Sequence, residues 1–195
     1  MEKVIVASSN EGKLREIGQI LAPLGFEVVP QSEYGVNDAE EPHFTFLENA
    51  LEKARHASRM TGLPALADDS GICVAALSGE PGVHSARYAG EPRSDERNNL
   101  KLIERLENCE DRSAHYYCVI VYLRHAMDPE PIVAEGRWEG EILRSPRGTG
   151  GFGYDPLFLD PALGKTGAEL DPAIKNKVSH RARALDELLR KLKCP

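Results

Sequence analysis

Residues 67–71 read ADDSG, two adjacent carboxylates, a hydroxyl and a glycine, directly after the apolar stretch GLPAL. Adjacent carboxylates repel one another and are costly to desolvate unless positive charge lies close. One reading is a strand-ending turn, in which Asp and Ser cap backbone groups and glycine supplies a positive φ. The other is a divalent-cation site or a proton acceptor. Glu40 and Glu41 form a second acidic pair, in the turn-rich segment EYGVNDAEEPH. A loop at 38–42 folding back beside 68–69 would bring both pairs to one hard cation; otherwise it is a solvated acidic loop.

Three further stretches could hold a ligand. In VIVASSNEGK a strand-like run gives way to Ser8, Ser9 and Asn10 and then to a helix whose first turn holds Glu11, Gly12 and Lys13. Free N–H groups at a helix start favour phosphate oxygens, and Lys13 adds a full charge. The stretch matches neither the Walker loop nor the G-x-G-x-x-G fingerprint, and taken alone an ordinary Ser or Asn cap with a solvated lysine is the simpler reading. GGFGYDP at 150–156 has glycines that let backbone approach a ligand and leave the face of Phe152 open for stacking; a plain turn with Phe152 and Tyr154 packed into the core is the alternative. Lys175, Ser179, His180 and Arg181 read as donors on the last helix, with Arg181 near its buried face.

The elements that must position these residues follow from periodicity. KVIVA (3–7) reads as a buried strand and FEVVP (26–30) as a second short strand, with a helix between them from the spacing of Leu14, Ile17, Leu21 and Leu24. A helix is expected from about Thr45 to Thr61, with Leu47, Ala50, Leu51 and Ala54 on one face. LPALADDSGICVAAL reads as strand, turn and second strand, and GEPGVHSARYAGEPRS as an ordered loop. SDERNNLKLIERLEN opens on capping residues and continues as a helix. AHYYCVIVYLRH and PIVAEGRWEGEIL read as a long hairpin kinked at Gly136 and Gly140. Ile174, Val178, Ala182, Leu185, Leu189 and Leu192 keep helical spacing after the start signal Asp171-Pro172. The sum is an α/β chain with a mixed sheet, a single domain over 1–195.

The formal net charge of −7 argues against nucleic-acid or anionic-membrane binding, which needs a basic surface. The longest apolar run, CVIVYL, is far below membrane-spanning length. Four cysteines, Cys73, Cys109, Cys118 and Cys194, lack zinc-site spacing, and a reduced, cytoplasmic protein without a signal peptide is expected.

Taken together, SSNEGKLREI, TFLENALEKA, ADDSG, GVHSARYAG, GGFGYDPLF and KVSHRARAL resemble the inosine triphosphate pyrophosphatase family, in the family's order and from Lys3 to about Leu189. Ser9 departs from the glycine that many members carry. The resemblance implies an elongated mixed sheet with flanking helices, two lobes around a nucleotide-binding cleft, and a homodimer. It also implies Mg²⁺-dependent hydrolysis of purine nucleoside triphosphates (inosine, deoxyinosine, xanthosine) to monophosphate and pyrophosphate. Asp69 would then be the proton acceptor and a metal ligand, with Glu40 the second carboxylate, although Glu41 is adjacent. Ser8, Ser9, Asn10, Glu11, Gly12 and Lys13 would hold phosphates. Ser70, Phe152, Gly153, Tyr154, Asp155, Lys175, His180 and Arg181 would bind the rest of the nucleotide. The rivals are a nucleotide-binding module without turnover, which would not need Asp69, and an aspartate-nucleophile phosphomonoesterase, whose D-x-D spacing is absent.

Overall fold

The computed structural model describes residues 2–193; Cys194 lies outside the described residues, and Cys73, Cys109 and Cys118 are free thiols. The strands are β1 (Glu2–Val6), β2 (Phe26–Pro30), β3 (Ala65–Val74), β4 (Ser113–Leu123), β5 (Ile132–Ile142), β6 (Phe158–Asp160) and β7 (Lys165–Thr166). The helices are α1 (Glu11–Leu21), α2 (Phe46–Thr61), α3 (Asp95–Arg105), α4 (Pro172–Val178) and α5 (His180–Lys193). The strand order is β2-β1-β3-β4-β5-β6-β7. β1 runs parallel to both β2 and β3, whereas β6 is antiparallel to β5 and β7, so the sheet is mixed as expected.

By compactness the chain divides into two units, Met1–Asp69 with Cys118–Gly136 and Arg181–Pro195, and Ser70–Tyr117 with Arg137–His180. In the first, Val4, Val6, Leu66, Cys118 and Ile120 form a core with Ile17 and Leu21 of α1 and Ala184, Leu185 and Leu188 of α5. Ile5, which alternation turns to the opposite face, is also fully buried, and α2 lies against β1. Parallel strands covered on both faces explain the unbroken β-branched run. In the second unit Ile72, Leu102, Leu106, Tyr116, Trp138, Ile142 and Phe158 share one core. Trp138 donates from Nε1 to buried Asp160 at 2.8 Å.

Four expectations need correction. First, β3 is one continuous ten-residue strand through ADDSG, with no turn. Both carboxylates are charge-compensated where they lie, so the chain has no need to leave the sheet.

Second, the buried face of α2 is Asn49, Ala50, Lys53, Ala54, Ala57 and Ser58, and Leu47 is 40% exposed. Three polar residues take inward positions: Asn49 and Lys53 meet the buried carboxylate of Asp69, and Ser58 donates to Leu63 O.

Third, the last helix is two helices. Ser179 is extended between α4 and α5, so Lys175 and Arg181 stand on different elements, and Ile174 is exposed.

Fourth, β5 runs through Gly136 and Gly140 without interruption. A Cβ on Gly140 would meet the Phe158 ring and Leu159 O, each at 2.5 Å. Close approach of β6, not a kink, requires that glycine.

Gly140→Ala is therefore expected to lower stability by about 1–3 kcal/mol, the range for overpacking. Gly18→Ala on α1, where a Cβ meets nothing within 4 Å, is the control; helix propensity predicts a gain of up to about 1 kcal/mol there. Urea unfolding midpoints decide it, and a Gly140→Ala midpoint at or above wild type would contradict the packing.

Candidate active site

The strand period of two decides the first unit's chemistry. Asp68 and Asp69 are adjacent in sequence but point to opposite faces of β3. Each meets cations from different helices.

Asp68, with its side chain wholly buried, accepts from Lys13 Nζ at 3.1 Å and Arg181 Nε at 3.2 Å. Arg181, 2% exposed, also pairs through Nη1 with Glu16 of α1. The Cys118 thiol lies 3.9 Å from Asp68 Oδ2, and burial together with that carboxylate raises its pKa. Burial also raises the pKa of Asp68, but Lys13, Arg181 and Lys53 outweigh it and hold the carboxyl well below the usual carboxylate range. Burial alone would lower the pKa of Arg181, yet Asp68 and Glu16 carry it upward.

On the other face, Lys53 of α2 bridges Asp69 Oδ1 and Glu41 Oε1, at 2.9 Å each. Asn49, one helical turn earlier, donates to Asp69 Oδ2 at 3.4 Å. For Asp69 burial exceeds the opposing pull of Lys53 and Lys13, so its pKa is raised. The adjacent aspartates are driven in opposite directions. Asp68 is held as the anion, and Asp69 is the one that takes a proton more readily.

The helix start is built as the sequence suggests, with one difference. Asn10 caps α1 by accepting from Lys13 N at 3.1 Å, and Ser8 Oγ accepts from Asn10 N at 3.2 Å. Glu11 and Gly12 lie in the first turn. Lys13, however, is only 16% exposed at its side chain and is directed at Asp68 rather than solvated. Ser9 donates to Asp38, whose other oxygen accepts from buried Gln31 at 2.6 Å.

The irregular segment 36–44 is held at further points. His56 bonds Asn37 O, Lys53 bonds Glu41, and Asn49 bonds both N and O of His43. The structure thus brings Glu41, through Lys53, to Asp69. Glu40 is exposed. Among the described residues no group of three or more His, Cys, Asp or Glu could hold a metal.

The second unit holds the other predicted residues. Asp155, 3% exposed, accepts from Lys175 Nζ at 2.6 Å and Phe152 N at 2.9 Å. Its carboxylate fills space that only glycine leaves: a Cβ on Gly151 would lie 2.1 Å from Oδ2, and one on Gly167 2.7 Å from Oδ1. The glycines of this loop therefore serve the buried aspartate. Phe152 is 36% exposed, with Lys175 Nζ 4.7 Å from its ring centroid. Gly153, at φ 62°, donates from N to Asp95, and Tyr154 donates to Ser85 O. His180 is buried and stacked on Tyr116, centroids 4.6 Å apart. Ser70 is half-buried on β3.

Sequence reasoning missed Lys53, Asn49 and Glu16. Lys53 had a signal, a lysine in phase with Ala50, Ala54 and Ala57. Glu16 had none, because its partner is 165 residues away.

These features define an α/β protein with a cationic helix start and oppositely directed carboxylates at its central parallel strands. The Ham1 family profile matches residues 4–191. A dITP/XTP pyrophosphatase of Nitrosomonas europaea is 65% identical over 192 residues, 98% of this chain and 95% of the relative. One of Ralstonia nicotianae is 62% identical over 196 residues, 99% and 98% respectively. A HAM1 protein structure from Coxiella burnetii superposes with a TM-score of 0.93 at 49% identity, covering 99% of each chain. The chain belongs to the Ham1 family.

A carboxylate with a depressed folded-state pKa adds stability above its unfolded value of about 3.9, and that contribution is lost as pH falls toward the folded value. Asp69, raised instead, contributes in the opposite sense and loses its share as pH rises. Asp68→Asn should therefore flatten that part of the wild-type fall in stability that lies below about pH 5. Urea unfolding across that range reads it, and parallel curves for both proteins would remove Asp68 as the group responsible.

Proposed function

We propose that this protein hydrolyses deaminated purine nucleoside triphosphates, inosine, deoxyinosine and xanthosine among them, to the monophosphate and pyrophosphate. The observation that carries this is Asp69, a buried carboxylate with raised proton affinity, next in sequence to the aspartate on which the helix-start lysine rests. The names of the relatives, dITP/XTP pyrophosphatase, agree with it.

In this reading the N–H groups at the start of α1, with Ser8, Ser9, Asn10 and Lys13, hold the phosphates. Asp69 accepts a proton from water, whose oxygen bonds to the α-phosphorus. The α–β phosphoanhydride breaks and pyrophosphate leaves with the bonding electron pair. Lys53 and Asn49 hold Asp69 in one orientation, so the protein acts mainly by positioning and charge neutralisation.

The donor set fits Mg²⁺. Asp69 and Glu41 present hard oxygens to one cationic nitrogen, and Mg²⁺ takes one or two carboxylates plus substrate phosphate oxygens. When bound there it would neutralise charge on the departing pyrophosphate. Glu41 is the better supported second ligand; Glu40 was the sequence expectation.

Phe152 is proposed to stack on the base, with Ser70, Gly153, Tyr154, Asp155, Lys175 and His180 around it. A homodimer in the cytoplasm completes the proposal, although no helix among the described residues is long and apolar enough to cross a membrane whatever the compartment.

A triphosphate panel with Mg²⁺, scored for pyrophosphate against phosphate, tests the reaction; phosphate as product, or binding without turnover, would point to the rivals. Asp69→Asn is expected to cost about 10²–10⁴ in kcat, and retention of more than about a tenth would remove Asp69 as the base. Lys13→Ala should raise KM and lower kcat, with Lys13→Arg recovering part. Unchanged kinetics would leave Lys13 as a structural cation. Phe152→Ala should weaken inosine and adenosine triphosphates alike, because stacking ignores the exocyclic group; a change confined to one of them would place Phe152 elsewhere.

A further inference from the structure

Phe152 lies in a loop whose flanking glycines leave the backbone many ways to turn. The direction of its ring follows from the two peptide planes on either side of it. The plane before Phe152 is held from within the loop, because Phe152 N donates to buried Asp155 at 2.9 Å. The plane after it is held from outside. Gly153 N donates to Asp95 Oδ2 at 2.6 Å, and Gly153 O accepts from Asn99 Nδ2 at 3.0 Å.

Asp95 and Asn99 stand four residues apart on α3 and therefore share one face of it. One supplies an acceptor and the other a donor, so together they take both polar backbone groups of one residue, 54 to 58 positions away. Gly153 has φ 62°, which few other residues adopt, and it has no side chain to pack. Hydrogen bonds are what hold it. Asn99 Oδ1 is buried without a hydrogen-bond partner among the described residues, so the bond to Gly153 O sets how that amide points. Asp95 is exposed at the start of α3, where Ser94 already caps the helix by accepting from Arg97 N at 3.2 Å. The cap does not need the Asp95 carboxylate, and the loop uses it.

We propose that Asp95 and Asn99 are positioning residues for the base: by clamping Gly153 they hold the ring of Phe152 in the orientation that stacks. Both act through Phe152 and not by contact with the nucleotide. The inference rests on the reading of Phe152 as the stacking residue. Releasing the clamp lets the loop sample orientations that cannot stack, and affinity falls with the competent fraction.

Steady-state kinetics with inosine triphosphate, and inorganic pyrophosphate as a competing inhibitor, separate the base from the phosphates. Asp95→Ala should raise KM about three- to tenfold, the loss of one hydrogen bond to a carboxylate at an exposed site. It should leave kcat within about twofold, because stacking is weakened equally in ground and transition states. Inhibition by pyrophosphate, which has no base, should be unchanged. Asp95→Asn keeps an acceptor oxygen and should recover KM to within about twofold of wild type. Asn99→Asp, the same exchange reversed, sets an oxygen against Gly153 O and should behave like Asp95→Ala. Glu96→Ala, which removes an exposed charge from the same helical turn, should match wild type. In a Phe152→Ala background Asp95→Ala should add less than about twofold, since the residue it positions is gone.

An Asp95→Asn protein as impaired as Asp95→Ala would make the charge responsible and overturn the proposal. So would weaker inhibition by pyrophosphate, or an Asp95→Ala effect undiminished beside Phe152→Ala, since either places the action of Asp95 elsewhere. If Asp95→Ala does not fold, the contrast between Asp95→Asn and Asn99→Asp decides. A wild-type protein that releases no pyrophosphate from triphosphates would end the pyrophosphatase reading and this inference together. Wild-type turnover with an unaltered Phe152→Ala would end the stacking reading and this inference, leaving the reaction in place. A weakened Phe152→Ala beside unaltered Asp95→Ala and Asn99→Asp would end this inference alone.

Discussion

Two adjacent buried carboxylates on one strand constrain the first unit more than any other feature. Side by side on one face, Asp68 and Asp69 could not both remain ionised in a dry interior. A strand solves this by geometry, since successive side chains leave opposite faces of the sheet. Each aspartate then needs its own cations, and those must come from helices packed on different sides. Lys13 and Arg181 reach Asp68 from α1 and α5, and Lys53 reaches Asp69 from α2. The parallel order β2-β1-β3 follows naturally, because it leaves both faces of β3 to be covered by helices.

That division assigns different chemistry to neighbours of the same residue type. Asp68 is overcompensated by cations and stays an anion, suited to anchoring charge. Asp69 has less cationic compensation for its burial, and its pKa moves up, toward the range where a carboxylate can exchange protons usefully. Paired titratable groups driven apart by environment are a recurrent way of separating roles within a site. Here the separation arises from strand alternation and from which helix supplies the lysine. The segment 36–44 depends on the same cluster, because Lys53 ties it to Asp69 and Asn49 holds it at His43.

The second unit solves the same problem with one aspartate. Asp155 is buried, paired with Lys175, and packed so closely against Gly151 and Gly167 that neither position admits a Cβ. The glycine-rich loop owes its composition to the volume of that carboxylate and to the positive φ angles at Gly148, Gly151 and Gly153. Phe152 keeps part of its ring exposed because Asp155 and Lys175 hold the loop beneath it.

The sequence by itself determined the α/β class, the mixed sheet, the long strands and the helix start at Asn10, because each rests on local periodicity and capping that tertiary contacts reinforced. It also marked Asp69, Lys13, Phe152 and Lys175 as residues worth chemistry, since motif types and spacing are local. Only the tertiary structure decided the rest. A turn was expected at ADDSG because two carboxylates look unfit for a buried strand; distant cations make them fit. One helix was expected from Ile174 to Leu192 because the apolar spacing continues across Ser179, whose extended backbone breaks it. Lys53 and Asn49 face inward on α2, and Arg181 faces carboxylates, because ion pairs and a hydrogen bond between residues 16 to 165 positions apart outweigh helical amphipathicity. Such long-range charge matching leaves no periodic trace along the chain.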